Sequence, residues 1–175
     1  GSVGKLITIG AALNQGTITP TSVFQVPYSL NLPDAGGPIT DFHEHDGETL
    51  TATCVLAESS NTGTVLIGQT MSDDQRYSMR AFGCGQETGI ELPGESAGLL
   101  RSSDDWQGRD RYVTMFGQAY AITAVQEASA LATIANGGVR ISPHIVKSWT
   151  NTDGTVEVPQ GTQPVQVLEA TTTSE

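Results

Sequence analysis

The sequence predicts a mainly α domain carrying a small β-hairpin. Three observations support that reading. Apolar residues recur at helical spacing in several runs, Ser/Thr capping patterns head those runs, and a Pro/Gly-rich turn lies between short strand-like segments. At 175 residues the chain is long enough for one domain with a real core.

Taken in order, Val3, Leu6, Ile7 and Leu13 outline an apolar face and Gly16 supplies a stop, which predicts a helix over residues 2–14. Residues 23–26 and 28–32 read as short strands, and Pro33-Asp34-Ala35-Gly36-Gly37-Pro38 is a turn between strands. Leu50, Val55 and Leu56 recur at about helical spacing, with Thr51 placed to cap the start. A polar knot, Ser59-Ser60-Asn61, separates this run from a second one that Val65, Leu66 and Ile67 begin, helical over 62–71. Ser72-Asp73-Asp74-Gln75 is a capping-box pattern that starts another helix. Tyr77, Met79 and Phe82 supply its core contacts, and Gly83 ends it.

Glycines, Pro93 and polar residues then give a long ordered loop over 84–106, with Trp106 either lining the cleft or pinning the loop, the second preferred. Thr123-Ala124-Val125-Gln126 is a second capping box, and Val125, Ala128, Leu131, Ala132 and Ala135 make a helical stripe that runs to Gly137. Residues 139–149 read as extended. Beyond Asn151 the chain reads as an exposed polar tail or connector (151–175), with Thr172 placed to cap a further helix.

Composition excludes several functions. The net charge of −11, from 8 basic and 19 acidic residues, argues against nucleic acid or an anionic membrane surface as partner. No run of some 18 apolar residues exists to span a bilayer. Asp41-Phe42-His43-Glu44-His45-Asp46 offers good metal ligands, but no third ligand cluster follows, so neither a metal ion nor a cofactor is expected. Cys54 and Cys84 lack the spacing of a zinc or redox pair and are expected as two free, packed thiols.

Ser2-Val3-Gly4-Lys5 is the element with chemical content. On a helix Ser2 and Lys5 stand at i and i+3, with Cβ atoms about 5–6 Å apart. Serine is a poor nucleophile until a base takes its proton. Lysine can be that base only if burial or positive potential lowers its pKa from about 10.4. The first turn of a buried helix offers both conditions, because its dipole disfavours a cation. Ser59-Ser60-Asn61 can present two side chains to a cleft, or can simply be a helix junction capped by Asn61.

The two motifs stand in the order of the S-x-x-K, S-x-N and K-T-G set shared by penicillin-binding proteins and related β-lactamases. RAFGCGQETGIELPGESAGLL (80–100) and FGQAYAITAVQEASALATIANGGVRISPHIV (116–146) resemble the segments that follow the S-x-N helix in class B penicillin-binding proteins. The resemblance implies a partial transpeptidase domain over 1–175, the helical part of the penicillin-binding-protein/serine β-lactamase-like fold. The K-T-G segment and the sheet of that domain would lie outside these residues.

It implies a peptidoglycan D,D-transpeptidase that is inhibited by β-lactams and anchored at the extracytoplasmic face of a bacterial membrane. Its partners would be stem peptides, β-lactams and other cell-wall synthesis or division proteins. Ser2 would be the nucleophile, Lys5 its base and Ser59 a proton relay, with Asn61 holding Lys5 and the substrate amide. An Asp and a His of the 41–46 stretch would be hydrogen-bonding structural residues. Gly4 departs from the family pattern, where a bulkier residue is common, and is expected to loosen the first turn. A β-lactamase, a β-lactam sensor or a non-catalytic module are the alternatives.

Overall fold

The structure is a computed structural model that describes residues 1–73, 77–159, 161 and 163–174. Five α-helices lie among these residues: α1 (Gly4–Asn14), α2 (Ala52–Ala57), α3 (Asn61–Gly68), α4 (Asp110–Val113) and α5 (Ala124–Ala135). The strands form four two-stranded antiparallel ladders rather than one hairpin. β2 (Ser29–Leu30) and β3 (Ile39–Thr40) make the hairpin expected around 33–38. β1 (Val23–Val26) pairs instead with β4 (Glu48–Thr51). Leu50 therefore lies on a strand that pairs with Phe24, and α2 begins after it.

α1 is the axis of the molecule and is buried on nearly all sides. Ile9, Ala11 and Ala12 pack with Val26, Val55 and Ile67 of β1, α2 and α3. Ile7 faces a second cluster with Met79, Phe82, Cys84 and Trp106. The Thr8 hydroxyl donates to the Met115 carbonyl at 2.7 Å, tying α1 to a third cluster around Val113, Met115 and Phe116. A helix buried all round shows no single apolar stripe. Of the face drawn through Val3, Leu6, Ile7 and Leu13, Ile7 is buried and the other three are half-buried, while Lys5 and Thr8 are buried as well.

Residue-level capping decides the helix heads. Thr51 caps α2 by accepting from the Cys54 N–H at 3.2 Å, and Thr123 and Gln126 form the expected capping box of α5. At α3 the cap is Ser60, whose Oγ accepts from the Gly63 N–H at 2.8 Å, and Asn61 is the first helical residue rather than the cap. α3 ends at Gly68, short of the expected Met71. The expected Ser72–Gln75 capping box falls partly on 74–76 and so lies outside the described residues. Tyr77–Arg80 is a 3₁₀ turn, Met79 and Phe82 are buried, and Gly83 has φ +92°.

The loop over 84–106 is ordered by Gln126. From the first turn of α5 its Nε2 donates to the carbonyls of Gln86 (2.6 Å) and Ala97 (2.8 Å). α5 turns Gln126, Ala130 and Thr133 inward and leaves Ala128, Leu131, Ala132 and Ala135 exposed, so the expected apolar stripe is on the outer side. Two of the three inward residues are polar, and their polar groups bond to backbone, Thr133 Oγ1 donating to the Ser129 carbonyl at 2.8 Å.

The segment over 139–149 is extended only at β5 (Val139–Arg140) and at the start of β6 (Trp149–Thr150). Much of 151–174 is exposed, but it is not a free tail: β7 (Val156–Glu157) pairs with β6, and β8 (Val165–Gln166) pairs with β5. Leu168 is buried in the Ile7 cluster. Residues 172–174 are a 3₁₀ turn. Cys84 is buried as expected, whereas Cys54 is exposed, because the buried side of α2 is that of Ala52 and Val55.

Candidate active site

The four sequence-derived site residues, Ser2, Lys5, Ser59 and Asn61, line one cleft of about 520 Å³. Ser2 sits in the turn that leads into α1, where the Lys5 N–H donates to the Ser2 carbonyl at 3.1 Å. That turn is held from behind. The Gly1 nitrogen donates to the Gly117 carbonyl at 2.9 Å, and a Cβ on Gly4 would stand 2.4 Å from the Tyr120 hydroxyl and 2.7 Å from Gly117 Cα. Glycine at this position therefore permits close backbone approach and tightens the first turn, the reverse of the loosening expected from the sequence.

Ser59 ends the α2 junction in the left-handed region, at φ +56°, which is uncommon for a residue with a side chain. Its carbonyl and hydroxyl both face Lys5. Lys5 Nζ donates to Ser59 Oγ at 2.9 Å, to the Ser59 carbonyl, and to Ser2 Oγ at 3.2 Å. Lys5 is only 1 % exposed, a rare degree of burial for a lysine. Desolvation lowers its pKa from the ordinary lysine value, and the negative charge of Asp41 works against that shift.

Asp41 lies under the corner. Its Oδ1 accepts from the Asn61 N–H and from the Thr62 N–H (3.0 Å). Its Oδ2 accepts from the Ser60 hydroxyl (2.8 Å), the Thr62 hydroxyl (3.0 Å) and His45 Nε2 (3.3 Å). The Gly47 N–H donates to His45 Nδ1 at 3.2 Å, which places the imidazole proton on Nε2, toward the carboxylate. Burial alone would raise the Asp41 pKa, but the bonds from Thr62, Ser60 and His45 hold it below the usual carboxylate value. Within the 41–46 stretch Asp41 and His45 are thus hydrogen-bonded to each other, and no cluster of three or more potential metal ligands occurs among the described residues.

Asn61 differs in part from its expected role. Its side-chain N–H donates to the Thr40 carbonyl at 2.9 Å, and Lys5 is held by Ser59 instead. A carboxylate twenty positions upstream of α3 that binds its first N–H groups escapes any local capping pattern, so the sequence alone does not connect Asp41 with the site. Chemically, Ser2 Oγ, Lys5 Nζ and Ser59 Oγ form a continuous hydrogen-bonded line open to the cleft. A buried amine that touches one hydroxyl on each side can move a proton between them.

Residues 1–175 match the family model of the penicillin binding protein transpeptidase domain. The chain is 38% identical over 173 residues to penicillin-binding protein PbpB of Mycolicibacterium smegmatis, covering 98% of this chain and 26% of that protein. It is 32% identical over 143 residues to the peptidoglycan D,D-transpeptidase FtsI of Escherichia coli K12, covering 79% of this chain and 23% of the relative. Among solved structures, penicillin-binding protein 3 of Mycobacterium tuberculosis complexed with aztreonam superposes with a TM-score of 0.94. The two are 36% identical, over 99% of this chain and 38% of that one. The chain thus spans about a quarter of the length of these curated relatives. With the match over its whole length and the fold shared, the chain belongs to the penicillin-binding-protein transpeptidase family.

Proposed function

We propose that this chain is the serine-bearing part of a peptidoglycan D,D-transpeptidase domain, acting through an acyl-serine intermediate. The observation that carries the reading is the buried Lys5 amine, within hydrogen-bond reach of Ser2 and Ser59 together. In its neutral form Lys5 has two N–H bonds to give to Ser59 and a lone pair to accept the Ser2 proton. Ser2 Oγ then attacks the carbonyl of the penultimate D-Ala of a stem peptide, with the Ser2 backbone N–H as one oxyanion donor. The C–N bond breaks, and terminal D-Ala leaves with a proton relayed from Lys5 through Ser59. The amine of a second stem peptide attacks the ester, returns its proton along the same line and frees Ser2.

Asn61 orients the substrate amide from the cleft wall. A β-lactam acylates the same serine, and its adduct persists, as expected of a transpeptidase rather than a β-lactamase. The K-T-G strand and the second oxyanion donor come from a further segment of the same domain. By family, the domain works on the extracytoplasmic side of the bacterial membrane beside other wall-synthesis or division proteins. No helix of this chain is long and apolar enough to cross a membrane among the described residues.

The test is burst kinetics in the intact protein with a chromogenic β-lactam. The reading expects one equivalent of acylation followed by slow release. Steady rapid turnover would favour the β-lactamase alternative, and no acylation at all would favour a non-catalytic module.

A further inference from the structure

Five donors converge on Asp41, and only one of them, His45, is a neighbour in sequence. The rest come from the S-x-N corner: the Ser60 hydroxyl, the Asn61 and Thr62 N–H groups and the Thr62 hydroxyl. The carboxylate therefore occupies the N-terminus of α3, where an anion is favoured by the dipole and the free N–H groups. The same corner aims the Ser59 carbonyl and hydroxyl at Lys5. Neither Lys5 nor any other group of the reaction line touches Asp41 directly, so its influence passes through position and charge.

We propose that Asp41 is a positioning residue of the acyl-transfer site. It locks the Ser59–Ser60–Asn61 corner that holds Lys5 and places a partly buried negative charge beneath that corner. This rests on the transpeptidase reading for its consequence in rate, but not for the arrangement itself. Two opposed effects act on Lys5: desolvation favours the free amine that a base requires, and Asp41 favours the ammonium. Asp41 thereby holds the base closer to ordinary lysine behaviour than burial alone would. The other titratable groups on the cleft wall are His43, Glu44, His45, Glu48 and Glu58, and Tyr120 stands behind Gly4. His45 is bonded to Asp41 itself.

The variant is Asp41→Asn, nearly isosteric: its Oδ1 can still accept from the Asn61 and Thr62 N–H groups. Penicillin acylation of the intact protein is followed against pH, beside the Lys5 Cε titration by NMR, assigned with Lys5→Arg. We expect the rising limb of the acylation profile, and the Lys5 titration, to move to lower pH. The plateau should fall by less than the roughly 10²-fold that loss of a general base costs. A lowered plateau with an unmoved limb and an unmoved titration would overturn the proposal, since a purely structural role predicts that result.

If Asp41→Asn fails to fold, Asp41→Glu serves. It keeps the charge but lengthens the arm, so the plateau should drop with the limb in place, and a displaced limb would contradict the proposal. The NMR titration does not depend on catalysis. A wild type that is never acylated therefore sinks the transpeptidase reading alone, while a Lys5 titration that Asp41→Asn leaves unmoved sinks this inference alone.

Discussion

Lys5 has the most demanding environment in the molecule, a primary amine almost wholly removed from water and held by two serines. Because its native pKa is lowered, the unfolded chain binds more protons than the folded one between that value and the ordinary one near 10.4. The Lys5 contribution to stability should therefore rise with pH across that window, against the opposite slope of Cys84 and Tyr120, whose burial favours their protonated native forms, and Lys5→Met should remove the rising part. Urea unfolding at neutral and alkaline pH checks both statements, and equal pH dependence in the variant would refute them. Lys5→Ala should slow β-lactam acylation by roughly 10²–10⁴-fold, the usual worth of general-base assistance. The two thiols divide by the same logic of burial. Cys84 is buried, with its pKa pushed up to about 11 by desolvation, whereas Cys54 is exposed on α2. A maleimide should label Cys54 quickly and Cys84 only on unfolding, as peptide mapping would show.

Among the elements, the start of α1 and the head of α5 depend on contacts that a helix pattern does not reveal. Gly4→Ala should push the Gly117 turn and Tyr120 away from the Ser2 turn, costing about 1–3 kcal/mol as overpacking does, and slowing acylation as well. A melting temperature and acylation rate equal to wild type would contradict the close approach. Gln126→Leu should cost about 1–3 kcal/mol, because the Gln86 and Ala97 carbonyls lose their shared donor. These two sites also mark what the sequence could and could not show.

The Thr123–Gln126 capping box, the Thr51 cap, the hairpin turn and the Ser2–Lys5 spacing were legible because each is a local pattern of a few residues. The buried side of α5 was not, since Gln126 and Thr133 are polar and hydrophobic periodicity picks the opposite face. The role of Asp41 was hidden for another reason: its partners lie about twenty residues away, joined only when β3 and α3 come together. Leu168 was missed because one buried side chain in a polar, turn-rich stretch has no periodicity at all.

At the scale of the whole molecule, the three core clusters meet on α1, and the cleft opens where its first turn meets the α2–α3 junction. Residues 1–175 contain no K-T-G sequence. Taken alone they should fold around α1 yet acylate far more slowly than the complete domain. One missing oxyanion donor costs about 10²–10³-fold, and poorer positioning of the substrate multiplies that loss. Circular dichroism and penicillin acylation of this segment, alone and with the K-T-G-bearing remainder added in trans, check the expectation. Acylation by the segment alone at the full rate would place the cleft wrongly. The central claim, that Ser2 is the nucleophile of the family's reaction, is tested most directly by mapping the penicillin adduct in the intact protein by peptide mass spectrometry. The account predicts one adduct, on Ser2, absent from Ser2→Ala; an adduct on any other residue, or one undiminished in that variant, would contradict it.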